Sequence, residues 1–327
     1  MPELACPFRC VYCNQAAISG QDKLPQPAEI EAIINRNIRS FPAVDKHIDI
    51  AFFGGNFTGL PFNMQRSYLQ IAHSFVKQGV VQGIRLSTRP DYIDNNTLDL
   101  LHSEGVTTIE LGAQSLDDEV LNRCGRGHTA ADVHRAAQLI RERGFRLGLQ
   151  MMIGLPGDTR EKSYKTARQI IELKADETRI YPCLVIRNTE LEKLYNLGDY
   201  VPLNLDNAIE WSVHLWQMFE TAGVKVIRLG LHPSDGLNGE ELVAGPYHPS
   251  FKELVMTALW RKNLEKYTSW PEDEDIMIDV PAPELGAAVG HKAVNRKWLE
   301  KRYRKVVFKG VSGLSPHSFT INTLTRC

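Results

Sequence analysis

Three cysteines lie within eight residues near the start of the chain, at Cys6, Cys10 and Cys13. Cysteine thiolates hold iron–sulfur clusters, commonly four to a cluster. Three closely spaced thiolates with no fourth cysteine nearby predict a 4Fe-4S cluster in which one iron is open to an outside ligand. A structural zinc site is an alternative, but zinc prefers four N or S ligands, usually from paired CxxC units, and the sequence has no second pair. Three unrelated buried thiols are the other alternative.

Composition describes an ordinary globular chain of 327 residues, long enough for one large α/β domain or for a barrel with a small appendage. A net charge of -1 gives no overall attraction to nucleic acid or membranes, so a polyanion would need a local basic patch. The sequence shows no secretory signal and no membrane-spanning apolar run, which predicts a cytoplasmic protein without a membrane partner. Cys124, Cys183 and Cys327 occur singly, which suits a reducing compartment.

Short β-rich segments alternate with longer amphipathic segments up to about residue 235. The predicted strands are His47 to Phe53, Gly83 to Thr88, Thr107 to Gly112, Arg146 to Ile153, Thr178 to Ile186 and Val224 to Leu231. The predicted helices are Pro27 to Ser40, Met64 to Lys77, Asn96 to Ser103, Ala130 to Arg143, Arg160 to Leu173 and Leu205 to Thr221. This alternation predicts an α/β fold, a partial (β/α)6 TIM-like barrel of parallel strands.

The cysteine loop should itself follow a first barrel strand, yet five residues precede Cys6. We expect either a native start upstream of Met1 or a barrel that lacks its first strand.

In such a barrel, the loops that leave the carboxyl ends of the strands build the active site. Gly54 and Gly55 directly follow a predicted strand, where the missing Cβ atoms would let the backbone approach a ligand. An ordinary tight turn is the alternative. Gln150 is a polar residue in an apolar strand that leads into Gly154-Leu-Pro-Gly157. Its amide needs a partner, either a ligand or a neighbouring strand end.

The cysteine spacing Cys6-x3-Cys10-x2-Cys13, with Tyr12 before the last cysteine, resembles the signature of radical S-adenosylmethionine (SAM) enzymes. The segment Glu110 to Thr129 resembles the Elongator catalytic subunit family and, more distantly, the oxygen-independent coproporphyrinogen oxidases. The resemblance covers about residues 6 to 235. It concerns the radical SAM part, and no segment resembles the acetyltransferase domain that Elongator catalytic subunits also carry.

The resemblance implies two cofactors, a 4Fe-4S cluster held by Cys6, Cys10 and Cys13, and SAM on the open iron. An electron from a donor such as ferredoxin or flavodoxin would cleave SAM to methionine and a 5′-deoxyadenosyl radical. The residues predicted to bind SAM are Gly54, Gly55, Asn56, Ser87, Gln114 and Arg126, from the resemblance, and Gln150, from its polar side chain in an apolar strand. By resemblance Gln114 bonds the ribose and Arg126 pairs with the carboxylate of SAM, whereas a solvated surface charge is the alternative for Arg126.

Alternation along the strand Thr178 to Ile186 places Arg179, Tyr181 and Cys183 on one face. If that face lines the barrel interior, Cys183 is a candidate catalytic residue that exchanges hydrogen with the substrate. If it faces the helices, Cys183 is a small core residue.

Residues 236–327 are predicted to form a basic α+β extension. Its predicted elements, in chain order, are a helix from Phe251 to Tyr267, a strand from Ile276 to Val280, a helix-like stretch from Leu285 to Tyr303 and a strand from Lys305 to Val311. Lysines and arginines crowd its second part. Gly290-His-Lys-Ala293 is loosely similar to the Gly-x-x-Gly loop of KH domains, although the second glycine is missing. A basic solvated face with a structural role is the alternative.

The sequence therefore predicts a radical SAM enzyme that modifies RNA, most plainly tRNA, through the basic extension. One alternative is the same chemistry on a small molecule such as a porphyrin precursor. Another is a metal-binding module without catalysis.

Overall fold

The computed structural model describes residues 10–14, 24–41, 47–232, 237, 239–267 and 275–324. The chain divides into two compact units, one formed by Met1–Asn204 with Leu215–Tyr247 and the other by Leu205–His214 with His248–Cys327. The boundary predicted between residues 235 and 236 falls at a point outside the described residues, as does Cys6.

A six-stranded parallel sheet forms the centre of the first unit, with its strands in the order β1-β2-β3-β4-β5-β7. These strands are β1 Asp49–Phe52, β2 Gly83–Thr88, β3 Val106–Gln114, β4 Arg146–Ile153, β5 Glu177–Pro182 and β7 Lys225–Leu229. Each strand pairs with its neighbours in parallel register, for example Ile109 with Leu147. The sheet curls into a half-barrel, which confirms the predicted α/β partial barrel. Among the described residues, no strand precedes Asp49.

Amphipathic helices connect the strands and cover the sheet. They are α1 Pro27–Ser40, α2 Phe62–Lys77, α3 Asn95–Ser103, α4 Asp118–Arg123, α5 Ala130–Glu142, α6 Arg160–Glu172, α7 Glu190–Leu197 and α8 Leu205–Thr221, whose first ten residues belong to the second unit. Helices α4 and α7 were not predicted. Capping side chains start several of them: Asp94 accepts from Thr97 N at α3, and Thr129 forms a capping box at α5. These caps fix the residues at which the helices begin after the loops that leave the strand ends.

The strand predicted from Thr178 to Ile186 ends at Pro182, because the chain turns out of the sheet at that point. It then forms a two-stranded antiparallel pair from β6 Val185–Ile186 and β8 Leu242–Ala244. This turn changes which side chains face the interior of the barrel.

The second unit contains a three-stranded sheet in the order β10-β9-β11. Its elements are α9 Phe251–Lys266, β9 Ile276–Pro281, α10 Leu285–Val289, α11 Val294–Leu299, β10 Val306–Val311 and β11 Thr320–Thr323. The prediction of one helix-like stretch from Leu285 to Tyr303 is wrong, because Gly290 has φ 86° and Lys292 and Ala293 are left-handed at φ 52° and 60°. The buried Asn295 amide bridges this break by donating to Thr257 O at 3.0 Å and Ala288 O at 3.2 Å.

None of the helices in the described parts of the chain is both long enough and apolar enough to cross a membrane.

Candidate active site

A cavity of about 470 Å³ opens at the carboxyl ends of the parallel strands, where the barrel rule predicts an active site. Its volume lies within the roughly 300–1,000 Å³ of typical small-molecule sites. The cysteine loop and the ends of β1 to β5 and β7 supply its lining. The glycines and polar residues that line it are Cys10, Tyr12, Cys13, Gly54, Gly55, Ser87, Thr88, Arg89, Gly112, Gln114, Arg126, Gln150, Arg179, Tyr181, Arg228 and His232. Eight of the residues predicted for the site are therefore brought together.

Backbone hydrogen bonds hold the cysteine loop at the cavity. Val11 donates to Cys124 O at 3.0 Å, Leu191 donates to Val11 O at 2.7 Å, and Cys13 N donates to Cys10 O at 2.9 Å. These bonds tie the loop to the ends of α4 and α7, two helices that the sequence did not reveal. The loop therefore presents Cys10 and Cys13 at the cavity from a backbone that is anchored on both sides.

Arg126 lies beside the cysteine loop and is 7% exposed. Its Nη1 donates to Cys10 Sγ at 3.5 Å, and its Nη2 donates to Gly112 O at 2.6 Å. The alternative of a solvated surface charge is wrong, because the side chain is buried at the cavity wall.

Gln114 ends β3 in a left-handed conformation, with φ 65°. The register of β3 against β4 shifts between Gly112 and Gln114, and this irregularity turns the amide into the cavity. Among the described residues, the buried Gln114 Oε1 finds no hydrogen-bond partner. Left-handed backbone is unfavourable for a non-glycine residue, and a buried unpaired oxygen adds to the cost. Both costs are typical of a side chain held for a ligand.

Gly54 and Gly55 follow β1 with φ 86° and 73°. Two consecutive left-handed residues strongly favour glycine, and here they bend the backbone along the cavity. A bound group could approach this backbone without meeting a Cβ atom. The positive φ angles of both glycines therefore agree with the prediction that a ligand approaches the backbone closely here.

The wall beneath the cavity is ionic rather than aliphatic. Glu110 on β3, 1% exposed, accepts from Arg179 Nη2 at 3.1 Å and from Arg85 Nε at 2.9 Å. Arg85 also pairs with the buried Glu177. Gln150 donates to Ser87 Oγ at 3.1 Å, so these two predicted residues support each other at the cavity wall. Gln150 on β4 also donates to Glu110 Oε2 on the neighbouring strand β3 at 3.5 Å, which agrees with the alternative that its amide bonds within the sheet.

Two predicted residues do not line the cavity. Asn56 is fully buried below it, where its Oδ1 accepts from Thr88 Oγ1 at 2.7 Å and from Arg89 N at 3.2 Å. The side chain thus joins the ends of β1 and β2 rather than facing a ligand.

Cys183 lies one residue beyond the end of β5, where the chain has left the sheet, so strand alternation no longer applies. Its side chain packs in an apolar cluster with Cys124 and Leu191, and burial raises the pKa of its thiol to about 12. Arg179 and Tyr181, which alternate with it in the sequence, do line the cavity.

The sequence interpretation did not assign a role to Tyr12, Arg85, Glu110 or Arg228. Arg85 on β2 and Glu110 on β3 are polar residues within largely apolar strands, as Gln150 is on β4. Because side chains alternate between the two faces of a strand, such polar positions indicate a polar face, and this signal could have revealed both residues. Tyr12 lies inside the cysteine loop, where burial raises the pKa of its phenol well above the usual value. Its hydroxyl has no hydrogen-bond partner among the described residues.

The donor set fits an iron–sulfur cluster with SAM. Two described thiols, a guanidinium beside one of them, an unpaired amide oxygen and a glycine cradle share one cavity. The third predicted thiol, Cys6, lies outside the described residues. The described part of the chain contains no group of three or more His, Cys, Asp or Glu side chains placed to hold a metal, which is consistent with two of the three predicted cluster thiols being described.

Residues 4–170, about half of the chain, match the family model described as the Radical SAM superfamily. Residues 175–261 match the model of the radical SAM C-terminal domain. Among curated relatives, the protein named tRNA uridine(34) acetyltransferase from Methanocaldococcus jannaschii is 38% identical over 128 residues, which are 38% of this chain and 24% of that protein. A protein of the same name from Dehalococcoides mccartyi is 28% identical over 233 residues, 61% of this chain and 50% of that protein.

The chain thus spans a quarter to a half of the length of these relatives. Among solved structures, the archaeal Methanocaldococcus infernus Elp3 with an N-terminal deletion has a TM-score of 0.61 at 24% identity and covers 73% of this chain and 59% of that one. At this identity the likeness shows the fold, and it agrees with the predicted resemblance to the Elongator family. The chain therefore belongs to the radical SAM superfamily and is an enzyme of that superfamily, with a 4Fe-4S cluster and SAM as its cofactors.

Proposed function

We propose that the chain modifies tRNA by radical SAM chemistry, and that Cys6, Cys10 and Cys13 hold the cluster. When bound, the cluster and SAM supply a 5′-deoxyadenosyl radical that abstracts hydrogen from a substrate. An electron donor such as ferredoxin or flavodoxin would serve this reaction. The observation that carries the cofactor assignment is the convergence of Cys10, Cys13, Arg126 and Gln114 on one cavity.

In this proposal the chain's own residues bind and orient SAM. Arg126 would pair with the carboxylate of SAM, and the unpaired Oε1 of Gln114 would accept from a ribose hydroxyl. The open backbone of Gly54 and Gly55 borders the same space, and Ser87 with Gln150 forms its wall. Asn56 acts from below as a positioning residue for the strand ends, and Cys183 stays outside the reacting space.

The proposal of a tRNA substrate rests on the relatives and on charge. Both curated relatives carry a name that specifies uridine 34 of tRNA. In the second unit, exposed basic side chains follow the break at Gly290 and continue through α11 to the start of β10 and beyond. They are Lys292, Arg296, Lys297, Lys301, Arg302, Arg304, Lys305 and Lys309, which we call the basic surface.

The basic surface sits on a rigid support. Arg261 stacks over Trp298 at 4.4 Å and donates to Asn295 Oδ1 at 3.1 Å. Two of the basic residues, Arg296 and Arg304, face a carboxylate, at Glu300 and Asp275 respectively. Lys292 and Lys297, like Lys301, Lys305 and Lys309, make no ion pair among the described residues, so their charges are available to a phosphate backbone.

The cofactor part is tested by anaerobic reconstitution with iron and sulfide, followed by measurement of 5′-deoxyadenosine in the presence of SAM and a reductant. Cys10→Ala should lose iron and SAM cleavage. Arg126→Ala should weaken SAM binding by about 1.5–3 kcal/mol, the range for hydrogen bonds to charged groups. Full iron content in Cys10→Ala would contradict the ligand assignment, and an unchanged SAM affinity in Arg126→Ala would contradict the carboxylate assignment.

The substrate part is tested by tRNA binding at several salt concentrations. The double variant Lys292→Glu/Lys297→Glu should bind tRNA more weakly than the wild type and with a smaller salt dependence. Lys165→Glu/Lys225→Glu is the matched control, because both lysines are exposed on the first unit. Equal loss in both variants would indicate a general charge effect. Mass spectrometry of tRNA after turnover should show a modified nucleoside, and modification of a small molecule in place of tRNA would refute the proposal.

A further inference from the structure

We infer that Arg228 binds the phosphodiester group of the nucleotide whose base enters the cavity. The inference rests on the proposed function, because an RNA substrate is what would bring a phosphate to this position. It assigns a substrate-binding role within the cavity to a residue on the last strand of the sheet.

The cavity is strongly cationic. Four arginines line it, and no aspartate or glutamate is found among its lining residues in the described part of the chain. Arg179 is bonded by Glu110, and Arg89 is paired with Asp91 at 2.9 Å. Arg126 lies against the cysteine loop. Two of the four guanidiniums are therefore paired with a carboxylate, and a third lies beside the proposed cluster ligand Cys10.

Arg228 differs from the other three. Its Nε donates to Gly230 O at 3.2 Å, and it makes no ion pair with a carboxylate of the described residues. It also lies directly across from Arg179 in the parallel register of β5 and β7. Two like charges at neighbouring positions of a sheet are destabilising unless an anion compensates them, and Glu110 pairs with Arg179 alone of the two. The planar guanidinium fork is suited to phosphate, which it can bind through two parallel hydrogen bonds.

The position of Arg228 separates it from the residues proposed for SAM. Gly54 follows β1, Ser87 lies near the end of β2 and Gln114 ends β3, whereas β7 is at the edge of the sheet opposite to β1. An anion at Arg228 would therefore belong to a second ligand in the same cavity rather than to the methionine end of SAM.

The surroundings of Arg228 indicate what kind of anion this is. An apolar wall borders the same side of the cavity and consists of Met152, Pro182, Leu184, Ile186 and Leu231. Tyr181 also lines the cavity, and burial raises the pKa of its phenol, so the hydroxyl stays a neutral donor. An apolar surface beside one cation and one hydroxyl suits a nucleotide, with the base against the wall and the phosphate at Arg228.

The test uses synthetic RNA hairpins with a uridine in the loop, in which single phosphodiester linkages around that uridine are replaced by neutral methylphosphonates. For the wild-type protein, one replacement should weaken binding roughly 10- to 150-fold, as expected for a lost charge-assisted hydrogen bond. Arg228→Gln should weaken binding of the unmodified hairpin by a similar factor and lower the slope of log K against log salt by about 0.7. In Arg228→Gln, the same methylphosphonate should then weaken hairpin binding by less than about twofold, because the side chain that contacts this phosphate is already lost.

The matched control is Arg66→Gln, which removes an arginine 58% exposed on the outer helix α2 and should leave affinity and slope unchanged. The inference would be overturned if Arg228→Gln kept the wild-type slope of log K against log salt. It would also be overturned if the methylphosphonate weakened RNA binding equally in the wild type and in Arg228→Gln. In both cases the tRNA proposal would stand. Equal wild-type affinity for every modified hairpin would overturn it without any variant, so the test does not depend on the folding of Arg228→Gln. If the wild type binds no hairpin and no tRNA, the proposed function fails instead.

Discussion

Replacing Gly112 by alanine tests whether the wall of the cavity holds the SAM-facing side chains in place. A Cβ atom at this position would lie 2.8 Å from Arg126 Nη2 and 3.0 Å from Gln114 Nε2. Ordinary contact begins at 3.4 Å, so the guanidinium must retreat by about 0.6 Å and the amide by about 0.4 Å. The same movement strains or breaks the 2.6 Å bond from Arg126 Nη2 to Gly112 O.

The methyl group would not itself occupy the proposed position of SAM, so its effect on binding would come through the two displaced side chains. Loss of one charge-assisted hydrogen bond costs about 1.5–3 kcal/mol, which is roughly a 10- to 150-fold weaker SAM affinity. The backbone adds no penalty, because Gly112 is not among the glycines with positive φ. We therefore expect a folded protein with poor SAM binding.

The assay is equilibrium binding of SAM to the anaerobically reconstituted protein, with iron content and thermal unfolding measured on the same samples. Gly83→Ala is the matched control, since its Cβ would meet Thr107 Oγ1 at 2.5 Å and Asp49 Oδ1 at 2.8 Å, outside the residues that line the cavity. That variant should lose stability but keep SAM affinity. A folded, iron-loaded Gly112→Ala that binds SAM as tightly as the wild type would refute the placement of Arg126 and Gln114 at the cofactor.

Three further predictions concern buried groups near the site. Glu110→Gln should lower the free energy of unfolding by about 3–5 kcal/mol in urea titrations, because it removes the shared anion of a buried ion-pair cluster; a loss below 1 kcal/mol would show that the cluster relaxes. Burial lowers the pKa of His128 to about 4, so its contribution to stability is complete above pH 6.5 and is lost as the pH falls toward and through 4. Between pH 7 and 4.5 the wild-type apoprotein should therefore lose about 2.5 kcal/mol more than His128→Gln, and parallel pH profiles would contradict this. Gln114→Gly should leave stability within about 1 kcal/mol of wild type, since relief of the left-handed strain offsets the entropy cost of glycine, yet SAM affinity should fall; tight SAM binding would remove Gln114 from the site.

Local sequence was sufficient to predict features for which one chemical requirement, such as a metal ligand or a buried face, decides the residue type. The cysteine spacing implied the superfamily, and the family match over residues 4–170 confirms it. Alternating strand and helix patterns predicted the parallel sheet, because a parallel pair needs a crossover between its strands. The rule that ligands bind at strand ends then predicted that Gly54, Ser87 and Gln114 lie near one another, and all three line the cavity.

Predictions failed where the chain departs from regular geometry. Alternation placed Cys183 on one face with Arg179 and Tyr181, but the strand ends at Pro182 and Cys183 packs in an apolar cluster as a small core residue. Asn56 follows the two glycines in the sequence, yet a buried bond to Thr88 draws its side chain below the cavity. Both errors arise because the direction of a side chain just beyond a strand depends on contacts with other strands.

The sequence by itself thus determined the class of chemistry and the order of the elements, since cysteine ligands and hydrophobic periodicity are local properties. Tertiary structure alone decided how charge is distributed around the cavity. Glu110 is shared by arginines from β2 and β5, and Arg228 is left without a carboxylate among the described residues, because ion pairing depends on which strands are neighbours. That distribution is a property of through-space distances between residues far apart in the chain, and residue spacing does not encode it.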